Sequence, residues 1–276
     1  IEVKLLEIEN QENLKFQILA TPRLYYAEQR IVENFERLLE SEAYSKFNAE
    51  GDLIKSQENR LGIKLDPVQL KAIQAALQNK VLVITGGPGT GKTTLVQFIL
   101  GLMKRRGFSV DLAAPTGRAA KRLSESSGKE SLTIHRLLEF GYKNDDEDNE
   151  FSGNRDFGFQ RNRNRELKSE VLIIDETSMI DTELMDAFLE AVPSKARIVF
   201  VGDVDQLPSV GPGMVLRDLI ESEIVPVVRL ERIFRQSEDS LISVNAHKVR
   251  LGKIPKLPEN KEGEELRDFY FIPESE

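Results

Sequence analysis

Short apolar runs alternate with segments of helical spacing from residue 81 onward. The apolar runs predict five strands: Val81–Thr85, Val110–Ala114, Val171–Asp175, Arg197–Val201 and Val225–Leu230. The other segments predict five helices: Lys92–Arg105, Gly117–Ser124, Asp181–Ala191, Met214–Ile220 and Leu241–Arg250. Several strands are apolar at nearly every position, which is typical of strands covered on both faces. The pattern therefore predicts an α/β fold with a parallel sheet flanked by helices.

The chain before residue 63 has a different pattern. Two short strands are predicted at Val3–Ile8 and Leu14–Leu19, followed by a helix over residues 23–40 and a polar stretch of mixed helix and loop over residues 51–62. A new helix begins at Asp66, a predicted N-cap followed by Pro67 at the first helical position. We therefore expect residues 1–62 to be a small N-terminal α+β segment, the tail of a preceding domain plus helices.

One segment, Gly141–Ser169, interrupts the alternation and predicts a long irregular insert. Its first half is acidic, and its second half carries Arg155, Arg161, Arg163 and Arg165. Structureless segments of this length in a compact domain are usually either functional or disordered. Both alternatives remain open from the sequence.

The amino-acid composition excludes several classes of protein and of metal site. The 276 residues contain no cysteine and two histidines, which excludes a disulfide framework and a cysteine-based zinc site. No apolar run approaches the ~18 residues of a membrane span, and no signal peptide opens the chain, so we expect a cytoplasmic protein. The net charge of −8 argues weakly against a nucleic-acid partner. The first residue is Ile1 rather than methionine, so we expect the chain to be part of a longer protein.

A glycine-rich sequence after the first predicted strand fits the phosphate-binding loop pattern G-x-x-x-x-G-K-[ST]. Its backbone N–H groups and the following helix N-terminus favour an anion. Lys92 can reach the β- and γ-phosphates, and the Thr93 hydroxyl can bind Mg²⁺. The alternative is a glycine-rich turn with an exposed lysine. The candidate nucleotide contacts are Gly86, Gly87, Gly89, Thr90, Gly91, Lys92, Thr93 and Thr94.

Polar residues follow two further strands. Asp175 and Glu176 come directly after an apolar run, where Asp175 can hold Mg²⁺ and Glu176 can orient or activate the attacking water. Gln206 follows the strand that ends at Val201 and could sense the γ-phosphate. The carboxyl ends of parallel strands meet at one edge, where ligands bind in open α/β sheets. The alternatives are a strand capped by acidic residues and, for Gln206, an ordinary turn residue.

The order of these motifs resembles superfamily 1 helicases, and closely their RecD-like branch, over roughly residues 65–255. Gly86–Thr93 resembles motif I, Asp175–Ser178 motif II and Gly202–Pro208 motif III. Asp66–Gln69 resembles the Q motif, in which the family's glutamine, here Gln69, reads adenine. Leu230–Gln236 resembles motif IV, which implies that Arg235 contacts the γ-phosphate.

Two more segments resemble motifs that touch single-stranded DNA in the family. Ala114–Ala120 resembles motif Ia and Thr133–Leu138 motif Ib, which implies DNA contacts from Thr116, Arg118, Thr133 and His135. Lys121 and Arg122 follow in the same helix, whose N-terminus suits a DNA phosphate. The alternatives are a solvated basic helix face and, for His135, an ordinary helix residue behind an N-capping Thr133.

The resemblance implies a P-loop NTPase of RecA-like fold, with ATP and Mg²⁺ as cofactors. Residues 63–255 would form the first RecA-like ATPase domain, with the insert at 141–169, and residues 256–276 would begin a truncated following domain. Nothing after Arg250 resembles the family's second RecA-like domain. We therefore expect this chain to hold half of an ATP site and half of a DNA track.

The implied activity is 5′→3′ translocation on single-stranded DNA and unwinding at duplex junctions, in recombination and repair. One alternative is an ATPase subunit that regulates a recombination nuclease through partner subunits, and another is a P-loop ATPase that acts on something other than nucleic acid. In the RecD-like branch a β-hairpin that splits the duplex emerges from this part of the first domain. Phe151, Phe157 and Phe159 of the insert could stack on an exposed base pair, and a disordered loop is the alternative.

Overall fold

The computed structural model describes residues 4–9, 15–44, 51–142, 157–232, 241–250, 252–257 and 269. The strands in these ranges are β1 (Lys4–Glu9), β2 (Lys15–Ala20), β3 (Val81–Gly86), β4 (Val110–Ala114), β5 (Leu132–Thr133), β6 (Gly141–Tyr142), β7 (Phe157–Gly158), β8 (Val171–Ile174), β9 (Arg197–Gly202) and β10 (Val227–Leu230). The helices are α1 (Pro22–Glu40), α2 (Gly51–Leu61), α3 (Pro67–Gln78), α4 (Lys92–Arg105), α5 (Gly117–Ser127), α6 (Ile134–Leu137), α7 (Thr182–Ala191), α8 (Val215–Glu221) and α9 (Leu241–Arg250). None of these helices is both long and apolar enough to cross a membrane.

Six strands form one parallel sheet in the order β10-β3-β9-β8-β4-β5. The predicted parallel sheet is confirmed, and each of the five predicted strands is present with its ends within two residues of the prediction. The edge strand β5 was not predicted, because two residues are too few to show a hydrophobic period.

The central strands are apolar because both faces of the sheet are buried. Along β3, Val81 and Val83 belong to one hydrophobic core, whereas Leu82 and Ile84 belong to the other. Helix α4 packs in the second core through residues such as Phe98, and α7 packs in the first through residues such as Phe188. Successive side chains along each strand therefore pack alternately against the helices on the two faces of the sheet.

Local signals set the start of α3. The Asp66 carboxylate accepts hydrogen bonds from the backbone N–H groups of Val68 (2.6 Å) and Gln69 (2.9 Å). The Gln69 side chain in return accepts from the Asp66 N–H at 3.2 Å, which completes a capping box. The predicted N-cap and the proline after it are confirmed.

The N-terminal elements contribute to both cores. Strands β1 and β2 form an antiparallel pair, one residue later than predicted. Helix α1 packs on α7 and buries Phe35 and Leu38 in the first core, and α2 buries Ile54 in the second. The mixed helix and loop predicted for residues 51–62 is wrong for Gly51–Leu61, which is one helix because this burial outweighs its weak apolar period. The domain boundary at residue 62 stays a prediction.

Lys80 joins the end of α1 to the turn after α7. Its ammonium donates to the backbone carbonyls of Leu38 (2.5 Å) and Ser41 (2.9 Å), and to that of Ser194. The Leu38 carbonyl lies in the last turn of α1, where backbone acceptors have no partner inside the helix. Lys80, which directly precedes β3, therefore supplies a donor to the C-terminal end of α1 and holds that end next to the sheet.

We expect Lys80→Met to lower the free energy of unfolding by about 1.5–3 kcal/mol, the range for hydrogen bonds to a charged group. The aliphatic part of the side chain is largely kept, whereas these carbonyls lose the charged donor and the Ser41 hydroxyl remains as a donor to those of Leu38 and Ser194. Urea unfolding followed by circular dichroism measures the change. The control is Lys71→Met on the exposed face of α3, and equal stability of the two variants would contradict the role given to Lys80.

The ends of the insert are ordered, so the expectation of an irregular segment is wrong there. Strands β6 and β7 pair antiparallel, and Leu167 is buried in the first core. Arg161 donates to the Glu139 carboxylate at 2.6 and 2.9 Å, and Arg165 pairs with the same carboxylate at 2.8 Å. Residues 143–156, including Phe151 and Arg155, lie outside the described residues.

The two described phenylalanines of the insert differ in exposure. Phe159 packs partly buried against the first core and its ring lies 4.7 Å from that of Phe140, so it belongs to the base of the insert. Phe157 is 59% exposed and also contacts Phe140. The proposed stacking on a base pair remains open for Phe157 and is disfavoured by burial for Phe159.

Candidate nucleotide-binding site

The loop between β3 and α4 has the backbone shape that its glycines permit. Gly89 and Gly91 have φ of +78° and +87°, in the left-handed region that other residues rarely adopt. Gly91 is the N-cap of α4, so the loop leads directly into a helix N-terminus. Gly86 has no room for a side chain, because a Cβ there would lie 2.6 Å from the Leu230 carbonyl oxygen. The sequence thus folds here into a cradle for an anion.

Two side chains bind back onto this loop. The Thr90 hydroxyl donates to the Gly87 carbonyl at 2.8 Å. The Lys92 ammonium donates to the carbonyls of Gly86 at 2.5 Å and Gly87 at 3.0 Å. Burial lowers the pKa of Lys92, opposed by the negative charges of Asp203, Glu176 and Asp175. The lysine is therefore held across the loop, beside the carboxylates of the neighbouring strands.

The two predicted carboxylates follow β8 at the same edge of the sheet. The Glu176 backbone N–H donates to the Asp175 carboxylate at 2.9 Å. Thr177 fixes the turn, because its hydroxyl lies 3.1 Å from the Ile174 carbonyl and 3.0 Å from that of Val201 on β9. Glu176 has φ of +53°, a left-handed backbone that is strained for a glutamate.

Asp175 and Glu176 are both partly buried. Burial is the main cause that raises the pKa of Asp175 to about 6; the hydrogen bond from the Glu176 backbone N–H opposes this increase, and the Glu176 charge adds to it. The Oε2 atom of Glu176 is buried and has no hydrogen-bond partner among the described residues. A buried carboxylate oxygen without a partner is costly unless a cation or a polar ligand meets it.

The third strand end, after β9, lies between those of β3 and β8. Asp203 is buried, and its carboxylate accepts from the Asp205 N–H at 3.1 Å and from the Gln206 amide at 3.2 Å. This turn presents the exposed Gln206 side chain to the space between the loop and the carboxylates.

A cavity of about 740 Å³ joins these three strand ends. It brings together eight of the predicted site residues: Gly89, Gly91, Lys92, Thr93, Thr94, Asp175, Glu176 and Gln206. Gly86, Gly87 and Thr90 shape the loop behind them. Gln69 is buried in its capping box and is not in the cavity wall, so its adenine contact stays a prediction. Arg235 lies outside the described residues.

The donor set fits Mg²⁺ bound together with a phosphate. Thr93 and Asp175 line the cavity and could serve as two oxygen ligands, and Mg²⁺ commonly takes one or two protein ligands plus phosphate oxygens and water. Among the described residues, no group of three histidines, aspartates and glutamates forms a metal site by itself. The buried, partnerless oxygen of Glu176 supports the fit, because a ligand in the cavity would give it a partner.

The predicted DNA contacts lie at the ends of β4 and β5. The Thr116 hydroxyl caps α5 by accepting from the Ala119 N–H at 3.2 Å, and the Thr133 hydroxyl caps α6 by accepting from the Arg136 N–H at 3.2 Å. Arg118 is exposed near the start of α5. His135 is exposed and lies against the rings of Phe140 (5.4 Å) and Phe159 (5.6 Å). The capping by Thr133, which belonged to the alternative interpretation of His135, is present, and the DNA contacts of all four residues stay predictions.

Residues 64–268 match the AAA domain family. The chain belongs to this family. It is 36% identical over 191 residues to the ATP-dependent RecD2 DNA helicase of Deinococcus radiodurans, covering 69% of this chain and 24% of that protein. It is 36% identical over 209 residues to the RecBCD enzyme subunit RecD of Mycobacterium tuberculosis, covering 67% of this chain and 32% of that protein.

The fold agrees with a solved structure of this kind. The crystal structure of Pif1 helicase from Candida albicans matches with a TM-score of 0.51 and 26% identity, over 70% of this chain and 45% of that one. The predicted P-loop NTPase fold and the resemblance to RecD-like superfamily 1 helicases are confirmed. This chain covers about a quarter to a third of the two curated relatives and less than half of the solved chain.

Sequence reasoning missed part of the cavity wall of this AAA domain. Helix α5 supplies Ala119, Arg122, Leu123, Glu125 and Ser126. Arg122 was grouped with the DNA-facing residues, whereas the structure places it in the wall that contains Lys92 and Asp175. A signal was present in the sequence, because positions 119, 122, 123 and 126 have the i, i+3, i+4, i+7 spacing of one helix face.

Proposed function

We propose that this AAA domain is the ATP-hydrolysing motor domain of a DNA helicase. One observation carries the proposal: three adjacent strand ends place a phosphate-loop lysine, two carboxylates and an amide around a single cavity. The strand ends beside it, those of β4 and β5, carry the predicted DNA contacts. The names of the two curated relatives support a helicase or a helicase subunit.

Each residue has a role that follows from its position. The loop N–H groups and Lys92 bind the phosphates, and Thr93 and Asp175 hold Mg²⁺. Bound Mg²⁺ neutralises phosphate charge and fixes the phosphate geometry. Glu176 accepts the proton of the attacking water. Gln206, in the turn after β9, contacts the terminal phosphate, so that this turn responds to whether that phosphate is present. Gln69 and Arg235 keep the roles predicted from the resemblance, with adenine and the γ-phosphate.

The proposed substrate is single-stranded DNA next to a duplex junction, bound by Thr116, Arg118, Thr133 and His135. The proposed location is the cytoplasm, and the resemblance supports 5′→3′ movement during recombination or repair. A second candidate is an ATPase subunit that regulates a recombination nuclease, which the name of the mycobacterial relative favours.

Strand displacement tests the proposal. The full-length protein should hydrolyse ATP faster with single-stranded DNA and should unwind a 5′-tailed duplex, whereas a 3′-tailed duplex serves as the polarity control. ATPase activity that ignores DNA would contradict a helicase. DNA-stimulated ATPase without unwinding, together with co-purifying nuclease subunits, would favour the second candidate.

Arg118→Ala should weaken single-stranded DNA binding at all sequences alike and reduce the slope of log affinity against log salt by about 1, since one phosphate contact is lost. Fluorescence anisotropy with a labelled oligonucleotide measures both quantities. Lys104→Ala is the matched control, because Lys104 is exposed in the last turn of α4, far along the helix from the carboxyl edge. An unchanged salt slope would remove Arg118 from the DNA interface.

A further inference from the structure

Helix α5 turns one face to the nucleotide cavity. Ala119, Arg122, Leu123 and Ser126 all line the cavity, and their spacing places them along a single stripe of the helix. Ala119 and Leu123 are buried, so this stripe is seated against the domain. Arg122 is the cation on it, and its exposed side chain extends into the open cavity.

The guanidinium of Arg122 is available to a ligand. Within the described part of the chain it makes no hydrogen bond or ion pair. Glu125, one turn further along, pairs instead with Lys121 across the helix surface at 4.0 Å. Arginine presents a planar fork of donors that matches phosphate oxygens bidentately.

The charges of the cavity place this cation where hydrolysis would occur. Its wall includes Asp175 and Glu176, and the positive charge of Arg122 acts to lower the pKa of Asp175, so the two side chains interact. Lys92 reaches the cavity from α4, whereas Arg122 reaches it from α5. Among the described residues that line the cavity, Lys92 and Arg122 are the two cations, and they share its wall with Glu125, Asp175 and Glu176. The second cation offsets part of the repulsion between these carboxylates and a polyphosphate anion.

We propose that Arg122 binds the terminal phosphate of the nucleoside triphosphate, from the side opposite the loop lysine. This inference rests on the proposed function, because it assumes that the cavity takes ATP. It assigns α5 to recognition of the triphosphate and gives the site a second cation beside Lys92. A diphosphate lacks the group that Arg122 contacts, so Arg122 favours ATP over ADP.

The test compares two nucleotides on the full chain by isothermal titration calorimetry, with Mg²⁺ present: ADP and the non-hydrolysable imidotriphosphate analogue of ATP. Arg122→Ala should weaken binding of the analogue roughly tenfold to a hundredfold, the range for charge-assisted hydrogen bonds. Affinity for ADP should change by less than about threefold. Arg122→Lys should recover part of the loss, and Lys104→Ala should leave both affinities unchanged.

Several results would overturn the inference. An equal loss of affinity for both nucleotides would mean that Arg122 acts through the charge of Asp175. Unchanged nucleotide affinities together with weaker binding of single-stranded DNA would place Arg122 in the DNA interface. A thermal melt of each variant confirms its fold, and Arg122→Lys tests the contact if Arg122→Ala unfolds. If the wild-type chain binds neither nucleotide, the proposed function is contradicted. If the wild-type chain binds both and Arg122→Ala does not discriminate between them, only the role of Arg122 is contradicted.

Discussion

Replacing Lys92 with alanine is expected to abolish ATP hydrolysis in the full-length protein while the fold survives. The ammonium is the cation held across the phosphate loop, and it sits beside the carboxylates of β8 and β9. Loss of one preorganised charged donor at a reacting phosphate lowers turnover by about 10²–10³-fold or more. Steady-state phosphate release measures the effect, and circular dichroism with a thermal melt checks the fold.

The matched control for this change is Lys71→Ala, which removes a lysine from the exposed face of α3. Its turnover should equal that of the wild type. Wild-type turnover in Lys92→Ala would contradict the assignment of the loop. A collapsed melting temperature in Lys92→Ala would instead show that the lysine holds the loop together, because its bonds to Gly86 and Gly87 are lost as well.

Glu176→Gln is expected to separate binding from chemistry. The amide keeps the size of the side chain and removes the base, so turnover should fall by about 10²-fold or more. Mg·ATP affinity should remain close to that of the wild type, because Lys92, Thr93 and Asp175 are intact. The melting temperature should be equal or higher, since the change removes a buried carboxylate oxygen without a described partner.

Equilibrium titration with a fluorescent ATP analogue and single-turnover hydrolysis measure the two quantities separately. Glu130→Gln, at an exposed position after α5, is the control for removal of one carboxylate. If affinity and turnover fall together, Glu176 has a structural role and the attacking water is activated by another group.

Sequence prediction succeeded where a feature is local and periodic. The phosphate loop, the carboxylates after β8 and the turn that holds Gln206 each follow a buried strand, and parallel topology then brings them to one edge. The N-cap at Asp66 was equally readable, because the residues it caps follow directly in the sequence. These features depend on neighbours in sequence or on a rule of topology.

The features that escaped prediction depend on packing between distant elements. Strand β5 exists because it pairs with β4, and α2 is continuous because Ile54 reaches the second core. Arg122 faces the nucleotide cavity because α5 lies against α4, which no motif states. The insert was judged by its length, charge and phenylalanines, none of which shows that Arg161 and Arg165 converge on Glu139 and fix its base.

The backbone conformation of Glu176 lowers the stability of the folded domain, and the role proposed for this residue accounts for that cost. A left-handed glutamate costs roughly 1–3 kcal/mol, and its partnerless buried oxygen adds to that cost. Asparagine tolerates the left-handed region better than glutamate, but it has no carboxylate. On the role proposed for Glu176, the strained backbone is therefore the stability cost of placing a base at the carboxyl edge of the sheet.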